Sequence, residues 1–342
     1  MKTNWLNNLG LLAIVVAVTL VVVRNIDFNQ SNELLNVSYA PTGDLYSAIN
    51  RQFSVEYAKQ NKTPLTIKVS NGGSSRQAKS VIDGLQADVV TLALPSDVDS
   101  LRKQGLLPDG WADRLPNRSQ PYTSTIVFVV RKGNPKVIKD WPDLVAPGVE
   151  VVTPNPKTSG NGKLSLLAAW GSVLYRGGSE DQARDYITRL YRHVPVLGTS
   201  ATDSASTFAY DKVGDVHLTW ESEALHEVEE SKGELEIVYP PVSIKAEPSV
   251  AWVDANVFSH KTADAAKAYL EFLFTDEGQE IIAEQGYRPF NSTILNEHLD
   301  RLPKLNLFPI TLIAKDWNDA QAKFFADNAV FDVIYKPKGN RS

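Results

Sequence analysis

The order of hydrophobic and polar positions predicts strands that alternate with helices along most of the chain. Short apolar runs are followed by polar loops and then by segments in which apolar residues recur at helical spacing. This order is typical of βαβ units with parallel strands. The run at 88–94 has no in-and-out alternation, which favours a strand covered by helices on both faces. The predicted strands are 34–39, 65–70, 88–94, 125–131, 149–153, 215–219, 236–239 and 250–257, and the predicted helices are 45–58, 76–85, 96–104, 163–174, 181–191, 262–274, 276–285 and 317–326.

An uncharged apolar segment at 9–23 follows Lys2 and ends before Arg24. As a helix it would be about 22 Å long, shorter than the roughly 30 Å hydrocarbon core of a membrane. This length favours the apolar region of an export signal, whereas starting at Trp5 would give an uncleaved anchor, and a buried core helix is a third alternative. The first two alternatives place the body of the protein outside the cytoplasm, in the periplasm. We assign 1–32 to this segment plus a linker.

Composition and charge narrow the class of protein. The 342 residues are enough for two domains. The formal net charge of −5 argues against a nucleic-acid binder. There are no cysteines, which excludes disulfides, thiolate metal sites and cysteine nucleophiles. The 5 histidines form neither an HExxH pattern nor a pair at i, i+4, so a metal-dependent hydrolase is not expected.

Small polar residues fill four loops that join the end of a predicted strand to the start of a helix. These loops lie at 40–44, 71–75, 159–162 and 199–204. A helix N-terminus presents unpaired backbone N–H groups and about half a positive charge. Several such termini at the ends of neighbouring strands can bind an anion without Lys or Arg. Ser74 and Ser159 would add hydroxyl donors, and Trp220, at a strand end, would add an indole N–H.

Each of these features also has a simpler explanation. A Ser before a helix is most often an N-cap, a glycine-rich loop is usually a tight turn, and a lone Trp at a strand end is most often a core residue. The glycines at 72–73 and 160–162 complete neither a G-x-G-x-x-G nor a P-loop pattern, which argues against a nucleotide. The glutamates at 221–230 suit a solvated helix face. Glu221 and Asp203 as a hydrolytic carboxylate pair would lack a pocket for a leaving group.

Several segments resemble the periplasmic sulfate- and thiosulfate-binding proteins of ABC transporters. They are NVSYAPT at 36–42, NGGS at 71–74, PYTSTIVF at 121–128, TPNPKTSG at 153–160 and WE at 220–221, and the likeness runs from about 34 to about 333. The resemblance implies an α/β periplasmic-binding-protein (type II) fold. Two lobes, each a mainly parallel sheet flanked by helices, would be joined by hinge strands and would clamp the anion in the cleft between them. Lobe I would comprise 33–120 and 251–342, and lobe II 121–250.

The same resemblance implies a ligand site and a function. The implied sulfate-binding residues are Ala40, Ser74, Ser159, Gly160, Asn161, Ala201 and Trp220. The backbone would donate at most of these positions, with the Ser74 hydroxyl and N–H and the Trp220 indole as further donors. The chain would capture sulfate, and also thiosulfate, for the permease and ATPase of an importer. We expect a monomer with no catalytic residue, metal or cofactor.

Three positions depart from the family pattern. Ala40 stands where Asp is usual, Asn161 replaces a usual Gly, and Thr202-Asp203 replaces a usual Arg-Gly. An inward Asp203 carboxylate would repel sulfate and accept the proton of hydrogen phosphate. We expect it to point outward, because Asp is common at helix N-termini and the neighbouring donors match those of sulfate binders.

Two other classes of function remain as alternatives. An esterase or phosphotransferase that used Ser74 or Ser159 would need a base beside the serine, and no His lies in these loops. A membrane-anchored sensor or structural module would fit an uncleaved N-terminal segment.

Overall fold

Residues 32–335 are described by the structure, which is a computed structural model of the chain. The strands are β1 (Glu33–Tyr39), β2 (Thr66–Gly72), β3 (Val89–Leu92), β4 (Tyr122–Thr123), β5 (Ile126–Arg131), β6 (Val151–Pro154), β7 (Leu197–Gly198), β8 (Val216–Trp220), β9 (Leu235–Val238), β10 (Ser243–Ile244), β11 (Ser249–Trp252), β12 (Arg288–Pro289) and β13 (Leu307–Phe308). The predicted export segment at 1–32 lies outside the described residues except for its last position.

Helices cover the sheets and connect their strands. They are α1 (Gly43–Asn61), α2 (Ser74–Ile82), α3 (Pro95–Lys103), α4 (Gly160–Tyr175), α5 (Glu180–Arg192), α6 (Ala201–Ala209), α7 (Glu221–Glu230), α8 (Asp254–His260), α9 (Ala263–Phe272), α10 (Asp276–Glu284), α11 (Ser292–Glu297), α12 (Trp317–Ala320) and α13 (Val330–Ile334). Short 3-10 helices lie at Ala40–Thr42, Trp111–Arg114, Trp141–Val145 and Ile310–Leu312. Between residues 32 and 335, no helix combines the length and apolar character needed to span a membrane.

The first sheet has the strand order β11–β3–β1–β2. β1 is parallel to β2 and β3, whereas β11 is antiparallel to β3. Consecutive residues of β3 belong to different cores: Val89 packs with α1 and α9, and Val90 packs with α2 and α3. The prediction that this strand is covered on both faces is therefore confirmed.

The second sheet has the order β7–β6–β8–β5–β9. β6 is parallel to β7 and β8, and β5 is antiparallel to β8 and β9. All strands of this sheet except β5 therefore run in the same direction, and the prediction of a mainly parallel sheet is confirmed. Phe128 of β5 packs in one core and its neighbours Val127 and Val129 in another, so helices cover this sheet on both faces as well.

The chain passes between the two sheets through short paired segments. Ser124, just before β5, and Ala246, just before β11, bond to each other through both backbone N–H groups, at 3.2 and 2.8 Å. β4 pairs with β12, and β10 pairs with β13, in the same region. These connections are the candidates for the hinge strands, and the division of the chain into two lobes stays a prediction.

The C-terminal part of the chain contributes to the core of the second sheet. Residues 308–331 pack in the core of the second sheet rather than the first. The Phe324 ring lies 4.9 Å from the ring of Trp170 in α4, and the Phe331 ring lies 5.3 Å from that of Tyr191 in α5. The expected assignment of 251–342 to lobe I stays a prediction, and Lys103 of α3 also bonds to Asn318 in this segment, at 3.0 Å. Its aromatic residues complete the second core, and their helical spacing carries no information about which lobe they join.

Two predicted elements also end differently. The predicted strand 250–257 stops at Trp252, and the following residues form α8, whose Asp254 pairs with Arg114 at 2.7 Å. The predicted helix 317–326 begins as α12 and continues as a π-helical turn at Gln321–Phe325. In the first case a short apolar run fits helix and strand equally well, so the local pattern did not locate the change.

Candidate functional site

A small cavity between the two sheets is lined by all seven residues that the sequence singled out. Its empty space is about 170 Å³, and the lining residues are Tyr39, Ala40, Pro41, Gly72, Gly73, Ser74, Ser159, Gly160, Asn161, Ala201 and Trp220. Segments that follow β1 and β2 form one side of the cavity, and segments that follow β6, β7 and β8 form the other. None of the lining side chains carries a charge, so any attraction for an anion must come from neutral donors.

Helix N-termini supply most of those donors. Ser74 is the first residue of α2, Gly160 of α4 and Ala201 of α6. Ala40 begins a 3-10 turn that leads directly into the long helix α1. The first N–H groups of a helix have no acceptor within it, and the positive end of the helix dipole lies at the same place. The arrangement therefore presents several backbone donors to one small space.

The start of α4 contributes both a hydroxyl and backbone donors. Ser159 is the N-cap, and its side-chain oxygen accepts from the Gly162 N–H at 3.5 Å, which leaves the hydroxyl proton free to donate. Asn161 stands where the family usually has Gly. Its side-chain amide donates to the Leu218 carbonyl at 3.1 Å, so the side chain is anchored on β8 while the backbone N–H keeps its place in the first turn.

Trp220 is fully buried at the end of β8, and its indole N–H has no acceptor among the described residues. The ring packs against Tyr39, with 5.3 Å between ring centroids. A buried donor without a partner costs roughly 1–3 kcal/mol, so such groups are uncommon in folded proteins. Because this one lines the cavity, an acceptor that entered the cavity would remove the penalty.

The Ser74 hydroxyl is not a free donor, contrary to the expectation from the sequence. It donates to Asp97 at 2.6 Å and accepts from the Ala93 N–H at 3.0 Å. Its backbone N–H lies at the first position of α2, and the role of this N–H as a donor to the anion stays a prediction. No local pattern indicates this bond, because Asp97 lies in a different helix, α3.

Asp97 also forms a buried ion pair with Lys163, which sequence reasoning missed. The Nζ and carboxylate oxygen are 3.0 Å apart, and both side chains are almost wholly inaccessible to solvent. The pair joins α3, beside the first sheet, to α4, beside the second. This buried cation is therefore neutralised by a carboxylate rather than offered to a ligand. One signal was available: Lys163 is the sole charged residue in the apolar sequence of α4.

The two sides of the cavity touch at two glycines. A Cβ on Gly160 would lie 2.5 Å from the Cβ of Ala93, and a Cβ on Gly73 would collide with the Thr158 carbonyl. Contacts this close leave no room for a side chain at either position. The structure therefore shows the cleft closed around the cavity.

Comparison with known proteins identifies the family of the chain. Residues 34–288 match the model of the bacterial extracellular solute-binding proteins. The chain belongs to this family. It is 48% identical to a thiosulfate-binding protein of Pseudomonas aeruginosa, over 89% of this chain and 92% of that one. It is 47% identical to a sulfate-binding protein of Escherichia coli strain K12, over 89% and 93% of the two chains.

The solved structures agree with this assignment. The sulfate-binding protein SubI of Mycobacterium tuberculosis superposes with a TM-score of 0.78 at 29% identity, covering 86% of this chain and 99% of that one. The periplasmic-binding-protein fold and the family resemblance expected from the sequence are both confirmed.

Asp203 is one of the positions at which the sequence departs from the family pattern. Asp203 is exposed, and its carboxylate accepts from the Thr199 N–H at 3.1 Å and from the Thr199 hydroxyl. The expected outward orientation is confirmed. Lys157 is also directed away from the cavity: its Nζ donates to the carbonyls of Phe325 and Ala326 and to Asp332, at 3.0, 3.1 and 2.8 Å.

A second cavity adjoins the first at Pro41, which lines both. Its empty space is about 690 Å³, and the carboxylates around it are those of Asp44, Glu223, Glu229 and Glu284. Burial, together with the nearby charges of Glu227, Asp44 and Glu230, raises the pKa of Glu223 to about 8. Among residues 32–335, no group of acidic and histidine side chains is placed to hold a metal ion.

Proposed function

We propose that this chain captures sulfate in the cavity beside Trp220 and delivers it to an ABC importer without chemical change. The observation that carries the proposal is the buried indole N–H of Trp220, which has no acceptor among the described residues and lines a cavity of uncharged donors. At neutral pH sulfate is a dianion without a proton, so its oxygens only accept hydrogen bonds. Such an anion is stable in a buried site only when donors saturate it.

The donor set also supports selectivity for sulfate over hydrogen phosphate. Hydrogen phosphate carries a proton that needs an acceptor, and a site built from donors leaves that proton unpaired. The one acidic residue in question, Asp203, points outward and bonds to Thr199. Thiosulfate also has no proton to place at neutral pH, so we propose it as a second ligand.

The rival enzymatic function finds no support at the two serines. Ser159 lies beside backbone N–H groups rather than a base. Ser74 does contact Asp97, but the other oxygen of that carboxylate is bonded to Lys163 and Ser75, at 3.0 and 3.1 Å. Both oxygens of this carboxylate are therefore already occupied by hydrogen-bond donors. The chain is a solute-binding protein and not an enzyme.

The finer points of the proposal concern location and partners. The chain would act outside the cytoplasm, as expected from the apolar segment at 9–23. The permease would recognise the closed form, because closure changes the relative position of the two lobe surfaces. The ligand would then pass from one monomer of this chain to the membrane permease, with the importer ATPase driving transport.

Isothermal titration calorimetry at neutral pH tests the function. We expect one sulfate per chain, competition by thiosulfate, weak binding of phosphate and no consumption of the ligand. The absence of both heat and competition with sulfate, together with binding of an organic ligand, would overturn the proposal.

A further inference from the structure

The turn that presents the Ala40 N–H has no side-chain anchor at its own N-terminus. Ala40 has no polar side chain, and the 3-10 helix Ala40–Thr42 has no side-chain cap. Thr42 donates to the Tyr39 carbonyl at 2.7 Å and shares a hydrogen bond with Ser38 at 2.5 Å, so its side chain ties the end of the turn to β1 but bonds to neither Ala40 nor Pro41. The direction of the Ala40 N–H therefore depends on contacts that the turn makes with other parts of the chain.

Tyr287 supplies such a contact from 246 positions away. Its hydroxyl donates to the Pro41 carbonyl at 2.9 Å, and the residue is buried. In a helical turn the carbonyl groups point toward the C-terminus and the N–H groups toward the N-terminus. A donor that holds the Pro41 carbonyl therefore fixes the turn from behind and keeps the Ala40 N–H on the cavity side.

Arg288, the residue after Tyr287, bonds to a segment on the opposite side of the cavity. Arg288 donates two bonds to Glu221, at 2.6 and 2.7 Å, and both side chains are buried. Glu221 directly follows Trp220, and its N–H donates to the Thr125 carbonyl at 3.1 Å. Two consecutive residues thus fix the segments that carry two donors, one from each side of the cleft.

We propose that Tyr287 is a positioning residue for anion binding, whose hydroxyl holds the Pro41 carbonyl so that the Ala40 N–H faces the ligand. This inference rests on the proposed sulfate-binding function. Tyr287 itself does not line the cavity of the anion. Its ring packs against Tyr122, with 4.9 Å between centroids, so a ring without the hydroxyl would keep this packing.

The test compares Tyr287→Phe with a matched control, Tyr269→Phe. Tyr269 is also buried, and its hydroxyl donates to Asn50 at 2.6 Å and accepts from Asn36 at 3.2 Å, away from the cavity. Each variant loses one buried hydroxyl and keeps the ring. Loss of one neutral hydrogen bond should raise the sulfate Kd of Tyr287→Phe about 2- to 10-fold, while Tyr269→Phe binds like the unmodified chain.

A spectroscopic readout separates positioning from general destabilisation. In ¹⁵N-labelled protein, sulfate should shift the Ala40 amide resonance strongly in the unmodified chain and in Tyr269→Phe, and less in Tyr287→Phe. Equal affinity and an equal Ala40 shift in all three chains would overturn the inference and leave the function intact. Equal weakening in both variants would also overturn it, since it would show a structural effect. Failure of the unmodified chain to bind sulfate would instead reject the proposed function, and the inference with it.

Discussion

The two cavities that share Pro41 have linings of opposite electrostatic character. The cavity beside Trp220 is lined by backbone donors and uncharged side chains, whereas its neighbour is lined by Asp44, Glu223, Glu229 and Glu284. An anion in the first cavity would be stabilised by dipoles that need no counter-ion. In the second cavity, burial and the neighbouring carboxylates raise the pKa of Glu223 instead. Two cavities that share the lining residue Pro41 can therefore differ in how they interact with a negative charge: one would stabilise it and the other would repel it.

The buried lysine Lys163 fits this contrast. Lys163 is paired with Asp97, so the pair contributes no net charge to the site. Uncharged donors are less sensitive to dissolved salt than an exposed basic patch, whose attraction is screened within about 10 Å at 0.1 M salt. Substitutions can test whether uncharged donors or charged side chains control sulfate binding.

Removing the indole N–H of Trp220 should have the largest effect on sulfate affinity. Trp220→Phe keeps an aromatic ring but deletes a donor to a charged partner, which contributes roughly 1.5–3 kcal/mol. The sulfate Kd measured by calorimetry should rise about 10- to 150-fold.

Trp170→Phe is the matched control for this change. Trp170 is also fully buried, and its indole N–H is also without an acceptor among the described residues, but it packs against Phe324 in the core. The control should leave sulfate affinity unchanged. An unchanged sulfate affinity in Trp220→Phe would mean that Trp220 contributes only to packing.

Ser159→Ala should have a smaller effect, because the N–H groups of Gly160 and Asn161 stay at the same helix terminus. We expect the sulfate Kd to rise roughly 10-fold, at the lower end of the range for a bond to a charged partner. Lys157→Ala should leave affinity unchanged and lower the unfolding temperature, because the Lys157 side chain bonds to Phe325, Ala326 and Asp332.

The paired comparison also separates the donor site from a basic patch. Calorimetry at low and moderate salt should show a mild salt dependence of sulfate binding in both variants. A greater loss of affinity in Lys157→Ala than in Ser159→Ala, with a steep salt dependence, would mean that exposed charge controls binding.

The sequence predicted those parts of the site that depend on local patterns. Strand ends followed by small residues and a helix start are visible along the chain, and the family resemblance singled out Ser159 and Trp220 among them. The structure brings all seven predicted residues to one cavity. Local patterns and a family resemblance were sufficient because each donor loop adjoins its own strand and helix.

Contacts between distant segments were not predictable in this way. Asp97 and Lys163 are 66 positions apart, and Tyr287 and Pro41 are 246 apart, so no spacing rule connects them. The placement of residues 308–331 in the second core has the same cause, since helical periodicity shows which face is apolar but not what covers it. The Ser74 hydroxyl was misassigned because its acceptor lies on another helix.

Replacing Glu223 should have the smallest effect on sulfate binding and a clear effect on stability. The pKa of Glu223 in the folded chain is raised from its ordinary 4.5 to about 8 by burial and by Glu227, Asp44 and Glu230. Between these values the folded chain holds a proton that the unfolded chain releases, so stability falls as pH rises from about 5 to about 8. Glu223→Gln cannot ionise, so its unfolding temperature should decline less over this interval.

Glu229→Gln is the control, because Glu229 lines the same cavity but is exposed. The other acidic and basic side chains that line it, Asp44, Glu284, His226 and Arg301, stay unchanged in both variants. Ionised Glu223 faces Asp44 from the opposite side of the cleft, so sulfate binding should weaken slightly with rising pH in the unmodified chain and not in Glu223→Gln. Thermal unfolding and calorimetry across the interval would measure both effects. If sulfate affinity and unfolding temperature change with pH in the same way in the unmodified chain and in Glu223→Gln, ionisation of Glu223 does not oppose closure of the cleft.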